Sequence, residues 1–267
     1  MSLLFTTIVC KFIPFKKIRN KIKVKYSDRE VNILKDEINK AILLIRNEIA
    51  ASRLHLDTFG EYKNKFAGKD VVLIATGPTL NDFVPIPNAI YVGVNRAFLY
   101  DKVKLDYLFM QDYQAICNYM ELVEEYPAKK FYGILNACGK NYGIPESIAI
   151  RHHAKRYYIN SAAFLKQDLD FVYDITSSPL TVYGTVVSSV MQFLLYANPK
   201  RIFLVGVDTS REGYFNEKQD NRLDIDIVIR GWQKIKIFVQ DYYPEIEIIS
   251  INPVGLKGFF KDKYLKK

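Results

Sequence analysis

A turn that could bind a phosphate group follows an apolar run in the first third of the chain. The run Val71–Ala75 leads into Thr76-Gly77-Pro78-Thr79. Gly77 permits a positive φ or a close backbone approach, while Pro78 removes one N–H donor and stiffens the turn. Free backbone amides in such a turn can bind phosphate oxygens. The turn therefore predicts an anion site, and an ordinary strand-to-loop connection is the alternative.

Polar side chains follow three further apolar runs, at the points where strands are predicted to end. Asn95 follows the second run, Gln111 and Asp112 follow the third, and Asp208 follows the run Arg201–Val207. In open α/β sheets, ligands bind outside the carboxyl ends of the strands, so these side chains are predicted to line one site. Capping of a helix N-terminus is the alternative role for Asn95 and for Asp112.

A predicted helix start and a pair of acids bear on anion and metal binding. Gly184-Thr185 opens a helix, and a helix N-terminus can bind an anion. Asp224 and Asp226 resemble a paired-carboxylate metal motif, but acids are favoured at helix starts by the dipole, so no metal site is predicted. The turn after the first run is neither a Walker loop nor a dinucleotide fingerprint. The sequence has no zinc-protease or serine-hydrolase motif.

Alternating strands and helices are predicted to position these residues. Buried, wholly apolar runs suit parallel strands, and βα alternation indicates helices on both faces of a sheet. The predicted strands are Val71–Ala75, Ile90–Val94, Tyr107–Met110, Phe131–Leu135, Arg156–Ile159, Ile202–Val207 and Ile246–Ile251. The predicted helices are Tyr113–Tyr126, Thr185–Ala197 and Leu223–Tyr242. The fold class is therefore α/β, a Rossmann-like, doubly wound and mostly parallel sheet with an N-terminal helical extension.

The N-terminal extension is predicted to be a helix within residues 26–64. Ser27 and Glu30 have the spacing of a capping box, and apolar residues then recur at steps of three and four to about Leu54. Packing of this helix on the domain is favoured over a dimerising coiled coil, and His55 is predicted to lie at the helix surface. One catalytic domain is predicted over residues 65–256.

Positive charge is concentrated at the two ends of the chain. The net charge is +9, residues 1–25 carry seven Lys or Arg and no acid, and residues 257–267 form a basic tail. Nucleic-acid-binding domains usually carry a basic patch on their folded part, so that class is disfavoured. Apolar residues interleaved with basic ones suit a segment in the membrane interface, with a disordered tail or a signal peptide as alternatives. Three cysteines without metal-ligand spacing indicate a reduced, cytoplasmic protein.

Taken together, the motifs resemble those of the bacterial sialyltransferases that cap lipooligosaccharide. They are also similar to those of flagellin-modifying motility accessory factors and of the archaeal 6-hydroxymethylpterin diphosphokinase. The matching motifs are Thr76–Leu80, Val94-Asn95-Arg96, Tyr100-Asp101-Lys102 and Gly206-Val207-Asp208 with a downstream Tyr214. The resemblance implies nucleotide contacts from Gly77, Pro78, Thr79 and Asn95. It also implies that Tyr214 stabilises the departing phosphate, with Ser210 nearest the position of a second such tyrosine.

The residues and this resemblance together predict a bacterial glycosyltransferase of surface-polysaccharide or lipooligosaccharide assembly. Its donor is a nucleotide sugar, CMP-linked if the resemblance extends that far, with no tightly bound cofactor. No histidine follows His153, so a carboxylate, Asp112 or Asp208, is predicted as the general base. The other predicted partners are a glycan or glycolipid acceptor and an anionic membrane surface. The protein is allowed to form a homo-oligomer. Its expected location is the cytoplasmic face of the inner membrane. A pterin diphosphokinase and a non-catalytic scaffold are the alternatives.

Overall fold

The computed structural model describes residues 28–113, 117–137, 140–217 and 224–265. The predicted membrane-interface segment at residues 1–25 and the capping residue Ser27 lie outside the described residues. The chain divides into two compact units, Met1–Ile45 and Arg46–Lys267, and the second contains the sheet. Within the described residues, no helix is both long enough and apolar enough to cross a bilayer.

A largely parallel sheet forms the centre of the second unit. Its strands are β1 Asp70–Ile74, β2 Ile90–Val94, β3 Tyr107–Met110, β4 Lys129–Ala137, β5 Lys140–Asn141, β6 Lys155–Ser161, β7 Leu180–Val182, β8 Arg201–Val205, β9 Glu247–Ile251 and β10 Lys261–Lys263. Their order is β10-β9-β8-β1-β2-β3-β4-β6-β7, and the pairs along this path are all parallel in the described part of the chain. Strand β5 pairs antiparallel with β4. The predicted fold class is confirmed.

Helices and short 3-10 turns cover both faces of this sheet. The helices are α1 Asp28–Phe59, α2 Met120–Glu125, α3 Glu146–Arg151, α4 Ala162–Leu165, α5 Val187–Ala197 and α6 Ile225–Tyr242. Val71 and Leu73 belong to one buried apolar layer, while Val72 and Ile74 belong to a second. Because successive side chains of a strand point to opposite faces, the two layers lie on opposite sides of the sheet. Burial on both faces explains why β1 is continuously apolar.

Helix α5 is the centre of the larger apolar layer, and all of its residues are buried. Its one amide side chain, Gln192, is satisfied by the backbone of β7: Nε2 donates to Thr181 O at 2.8 Å, and Oε1 accepts from Thr181 N at 3.1 Å. A buried amide costs free energy unless it is paired, and this pairing also uses backbone groups of an edge strand. The contact therefore fixes α5 against the edge of the sheet.

His55 lies in the core and not at the helix surface, so that prediction is wrong. The side chain is 0% exposed. Its Nδ1 lies 2.9 Å from Ile175 O, to which it must donate, and its Nε2 accepts from Tyr158 N at 2.7 Å. Helix α1 carries apolar residues on more than one face, so periodicity alone does not identify the face that packs on the sheet. Burial lowers the pKa of His55 to about 4.

Some predicted elements differ from those in the structure. The predicted helix Tyr113–Tyr126 is replaced, within the described residues, by a 3-10 turn at Cys117–Tyr119 and the short helix α2. Part of the predicted basic tail is ordered, since β10 pairs with β9 and Lys261 forms an ion pair with Glu247 at 2.5 Å. Strand β7 was not predicted, because only three residues pair there and a short run gives little periodic signal.

Candidate functional site

A cleft of about 920 Å³ opens at the carboxyl ends of the parallel strands. The chain passes from β1 to β7 in one direction along the sheet and then returns to place β8 on the other side of β1. The strand order therefore reverses between β1 and β8, and ligands of open α/β sheets bind at such a point. Loops after β1, β2, β3 and β8 line the cleft, together with the first turns of α5 and α6.

The loop after β1 is fixed by hydrogen bonds to the turn after β8. Gly77 N donates to Gly206 O at 2.8 Å, and Thr79 N donates to Asp208 Oδ2 at 2.9 Å. The Thr79 hydroxyl donates to Asp208 Oδ1. The amides of Gly77 and Thr79 are therefore engaged within the protein, and the prediction that they are free to bind phosphate is wrong for these two groups. The loop instead shapes one wall of the cleft.

Gly77 is required for close packing and not for an unusual backbone angle. Its φ is −69°, a value open to any residue. A Cβ at this position would lie 2.5 Å from Asp208 Cγ and 2.6 Å from Gly206 O. Both distances are shorter than real Cβ contacts. Of the two roles proposed for Gly77 from the sequence, the close backbone approach is therefore the one found in the structure.

Asp208 is buried behind this loop, with only 5% of its surface exposed. Burial raises the pKa of its carboxyl, while the hydrogen bonds from the Thr79 hydroxyl and amide act in the opposite direction. The Asp208 backbone oxygen accepts from Gly255 N at 2.8 Å. The residue therefore joins three segments of chain: the loop after β1, the turn after β8, and the loop after β9.

Asn95 lines the cleft and carries a buried side-chain acceptor. The residue has φ 47° and begins the 3-10 turn Asn95–Leu99 directly after β2. Its Oδ1 atom is buried and accepts no hydrogen bond within the described part of the chain. A buried polar atom without a partner is costly, and a water molecule, an ion or a ligand group can supply the partner. Asn95 therefore suits a ligand O–H or N–H group.

Arg96 fixes Tyr214 at the side of the cleft. The Arg96 guanidinium lies 4.4 Å from the centroid of the Tyr214 ring and donates from Nη1 to Glu217 Oε2 at 2.7 Å. The Tyr214 segment is also tied to the first loop, because Phe215 N donates to Thr76 O at 2.9 Å. Sequence reasoning named Tyr214 but not Arg96 as a site residue, although Arg96 directly follows Asn95 in a quoted motif.

Gln111 joins the floor of the cleft to the start of α5. Its Nε2 donates to Ser189 Oγ at 2.6 Å and to Tyr157 OH at 3.1 Å, and the side chain is buried. Because Ser189 lies in the first turn of α5, this contact brings the helix N-terminus beneath the end of β3. Asp112, the next residue, is exposed and lines the cleft, as does Ser210.

The N-terminus of α5 offers backbone donors to the cleft. Gly184 has φ 68°, a conformation that favours glycine, and it turns the chain from β7 into the helix. The N–H groups of Thr185 and Val186 donate to no described residue, and both residues line the cleft. The first N–H groups of a helix lack intrahelical partners and carry the positive end of its dipole. This end of α5 therefore suits a phosphate or another anion.

Asp224 lies at the start of a helix, which is the interpretation that the sequence favoured over a metal site. It is the N-cap of α6, and its Oδ1 accepts from Ile227 N at 3.3 Å. Such a cap satisfies one of the free amides of the first turn. The residue also lies at the cleft, so the same carboxylate limits how closely an anion can approach the start of α6.

An aromatic pair at the rim of the cleft was missed by sequence reasoning. The rings of Tyr142 and Phe164 lie 5.5 Å apart with an interplanar angle of 31°, and the residues are 46% and 48% exposed. About half of the aromatic residues that the structure describes are buried, and this pair is informative because both exposed rings lie in the cleft. No sequence signal identifies them, because Tyr142 and Phe164 follow different strands and meet only through the pairing of β4 with β6.

Comparisons with known proteins give distant structural likeness. No protein-family model matches the chain, and a search of curated proteins finds no match. A search of solved structures finds similarity to the sialyltransferase CstII from Campylobacter jejuni, solved in complex with the substrate analogue CMP-3FNeuAc. That match has 11% sequence identity and a TM-score of 0.42, and it covers 72% of this chain and 85% of the other.

Proposed function

We propose that this chain is a glycosyltransferase that takes its sugar from a nucleotide-activated donor, and a CMP-linked sugar is the first candidate. The observation that carries the proposal is that Asn95 Oδ1 and the amides of Thr185 and Val186 have no hydrogen-bond partner among the described residues, and that all three residues line one cleft. An acceptor oxygen suits a ribose hydroxyl or a base amine, and helix amides suit a phosphate. A nucleotide supplies both kinds of group.

In this proposal the amides at the start of α5 bind the donor phosphate. The Tyr214 hydroxyl, fixed by the guanidinium of Arg96 over its ring, donates to the phosphate oxygen that leaves the sugar. The acceptor hydroxyl attacks the anomeric carbon, the bond from that carbon to the phosphate oxygen breaks, and the hydroxyl proton passes to a carboxylate. The negative charge that develops on the phosphate is thus stabilised by the backbone amides and the Tyr214 hydroxyl.

Asp112 is the proposed general base. It is exposed and lines the cleft, so an acceptor hydroxyl can approach its carboxylate. Asp208, the other sequence candidate, is 5% exposed, and both of its oxygens accept hydrogen bonds from Thr79. A general base must come within hydrogen-bonding distance of the proton that it removes. Access therefore favours Asp112.

The aromatic pair Tyr142 and Phe164 is the proposed contact for the acceptor. Strands β2 and β6 are separated by three strand spacings, or roughly 14 Å, so the pair lies well away from Asn95. Its rings are half exposed at the rim, which suits a ligand that extends out of the cleft. The flat apolar face of a sugar ring can pack on such a surface. Surface-glycan assembly remains the proposed biological setting.

A thermal-shift screen across CMP-, UDP-, GDP- and ADP-sugars tests the proposal. A ligand that binds only the folded state raises its stability by roughly 2.7 kcal/mol at a hundred times its Kd. Asn95→Gly keeps the left-handed backbone and removes the side chain, so the ligand-induced shift should fall by more than half. Asn88→Gly is the matched control, because Asn88 has φ 59° and is exposed outside the cleft. Absence of any shift at millimolar nucleotide sugar would contradict the proposal.

A further inference from the structure

Within the described residues, both oxygens of the Asp208 carboxylate are hydrogen-bonded to one residue of the opposite loop. Its two oxygens accept from the amide and the hydroxyl of Thr79, a residue 129 positions away in the chain. The contact bridges the end of β8 and the end of β1, which are neighbours in the sheet. A carboxylate that accepts two such bonds is oriented as well as paired, because the two donors come from different parts of Thr79.

Asp208 lines the cleft, but its side chain is almost wholly covered by its surroundings. The Gly77 backbone packs directly against Asp208 Cγ, so closely that a single added Cβ would lie 2.5 Å away. The residue is 5% exposed. The acid–base role predicted from the sequence would require one Asp208 oxygen to leave Thr79 and reach a substrate hydroxyl. That would break a hydrogen bond inside a crowded turn.

Two other parts of the site depend on the position of the loop that Asp208 holds. Thr76, one residue before Gly77, accepts from Phe215 N at 2.9 Å and so anchors the segment that carries Tyr214. Asn81, in the 3-10 turn that contains Thr79, donates from Nδ2 to Phe215 O at 2.9 Å. A shift of the loop at Thr79 would therefore move the Tyr214 segment as well.

We propose that Asp208 is a positioning residue, which acts by fixing the loop Gly77–Thr79 and through it the Tyr214 segment, and that it takes no part in proton transfer. The inference rests on the proposed function, since it assigns a role within the same site. It makes Asp208 and Thr79 one unit, so that loss of either partner has the same consequence for donor binding. The charge of Asp208 is secondary to its two acceptor positions.

The variants Asp208→Asn and Asp208→Ala separate positioning from proton transfer. Asparagine can accept from Thr79 N through its oxygen and donate to the Thr79 hydroxyl through its amide, whereas alanine can do neither. Turnover is measured as donor hydrolysis or transfer with CMP-N-acetylneuraminate and with UDP-glucose. Asp208→Asn should keep kcat within about tenfold of the parent protein and retain the acidic limb of its pH profile. Asp208→Ala should weaken donor binding by tenfold or more.

Thr79→Val supplies the partner variant, because it removes the hydroxyl and keeps the shape of the side chain. The double variant Asp208→Ala/Thr79→Val should bind the donor no more weakly than Asp208→Ala alone. A thousandfold loss of kcat in Asp208→Asn with unchanged donor Kd, or loss of the acidic limb, would overturn the proposal in favour of a base. Independent, additive losses in the double variant would also overturn it.

Melting temperatures distinguish failure of the positioning role of Asp208 from failure of the proposed function. If the parent protein binds no nucleotide sugar, the function is wrong, but the unit formed by Asp208 and Thr79 is still tested by stability. The melting temperature of the double variant should then equal that of Asp208→Ala within about 1 °C, because the lost contact is shared. If the decreases in melting temperature of the two single variants add in the double variant, Asp208 and Thr79 do not act as one unit, whichever ligand the protein binds.

Discussion

The burial of His55 predicts a specific loss of stability in mild acid. The ring donates from Nδ1 to Ile175 O and accepts at Nε2 from Tyr158 N, so its neutral form is fully paired. Protonation of Nε2 would replace that acceptor with a donor facing another N–H group. Burial lowers the pKa of His55 in the folded state to about 4, from an ordinary value of 6.5.

The sign and size of the effect follow from linkage. Between pH 6.5 and about 4 the unfolded chain binds a proton at His55 that the folded protein excludes, so the free energy of unfolding falls as pH falls. The contribution is fully present above pH 6.5. One pKa unit corresponds to about 1.4 kcal/mol, so the complete loss is about 3 kcal/mol, of which roughly 2 kcal/mol falls between pH 7 and pH 5.

Urea unfolding followed by circular dichroism at pH 7 and pH 5 measures this term. His55→Gln retains a polar group of similar reach but does not titrate, so its free energy of unfolding should fall by roughly 2 kcal/mol less over this interval than that of the parent protein. Contributions from other groups, including the buried His152, are common to both proteins. His153→Asn is the control, because His153 is exposed at φ 50°, a conformation that Asn accepts. Equal pH dependence in His55→Gln and the parent protein would refute the argument.

Two further predictions concern the acceptor and the membrane. Tyr142→Ala and Phe164→Ala should each raise the KM for a glycan acceptor about tenfold and leave the donor Kd unchanged, whereas Tyr173→Ala, an exposed aromatic outside the cleft, should change neither. A weakened donor Kd would instead indicate that the pair stacks on the nucleobase. High salt should weaken the binding of the full chain to anionic vesicles without abolishing it. Deletion of residues 1–25 should abolish this binding and leave turnover on a soluble acceptor unchanged. If the truncated protein binds vesicles as well as the full chain, the prediction is wrong, and the basic C-terminal residues become the candidate membrane-binding segment.

The parallel sheet and the ends of its first strands were predictable from the local sequence pattern. The predictions for β2 and β3 match the structure residue for residue, and that for β1 is displaced by one position. Runs such as Val71–Ile74 are apolar at every position because both faces are buried, and this requirement is local enough to be visible in the sequence. Strand ends then fix where loop residues such as Asn95 and Asp112 emerge, so the position of the cleft was predictable as well.

Which of these residues contact one another depends on the three-dimensional arrangement of the strands. The pairing of Asp208 with Thr79, the contact of Gln111 with Ser189, and the aromatic pair at the rim all join segments far apart in the chain. Each depends on the order of strands in the sheet, and the first two also depend on the return of the chain across it through α5. A sequence pattern records whether a residue is buried on a strand or helix, but not which strand becomes its neighbour. The partners of His55 and Asp208 were therefore fixed by topology.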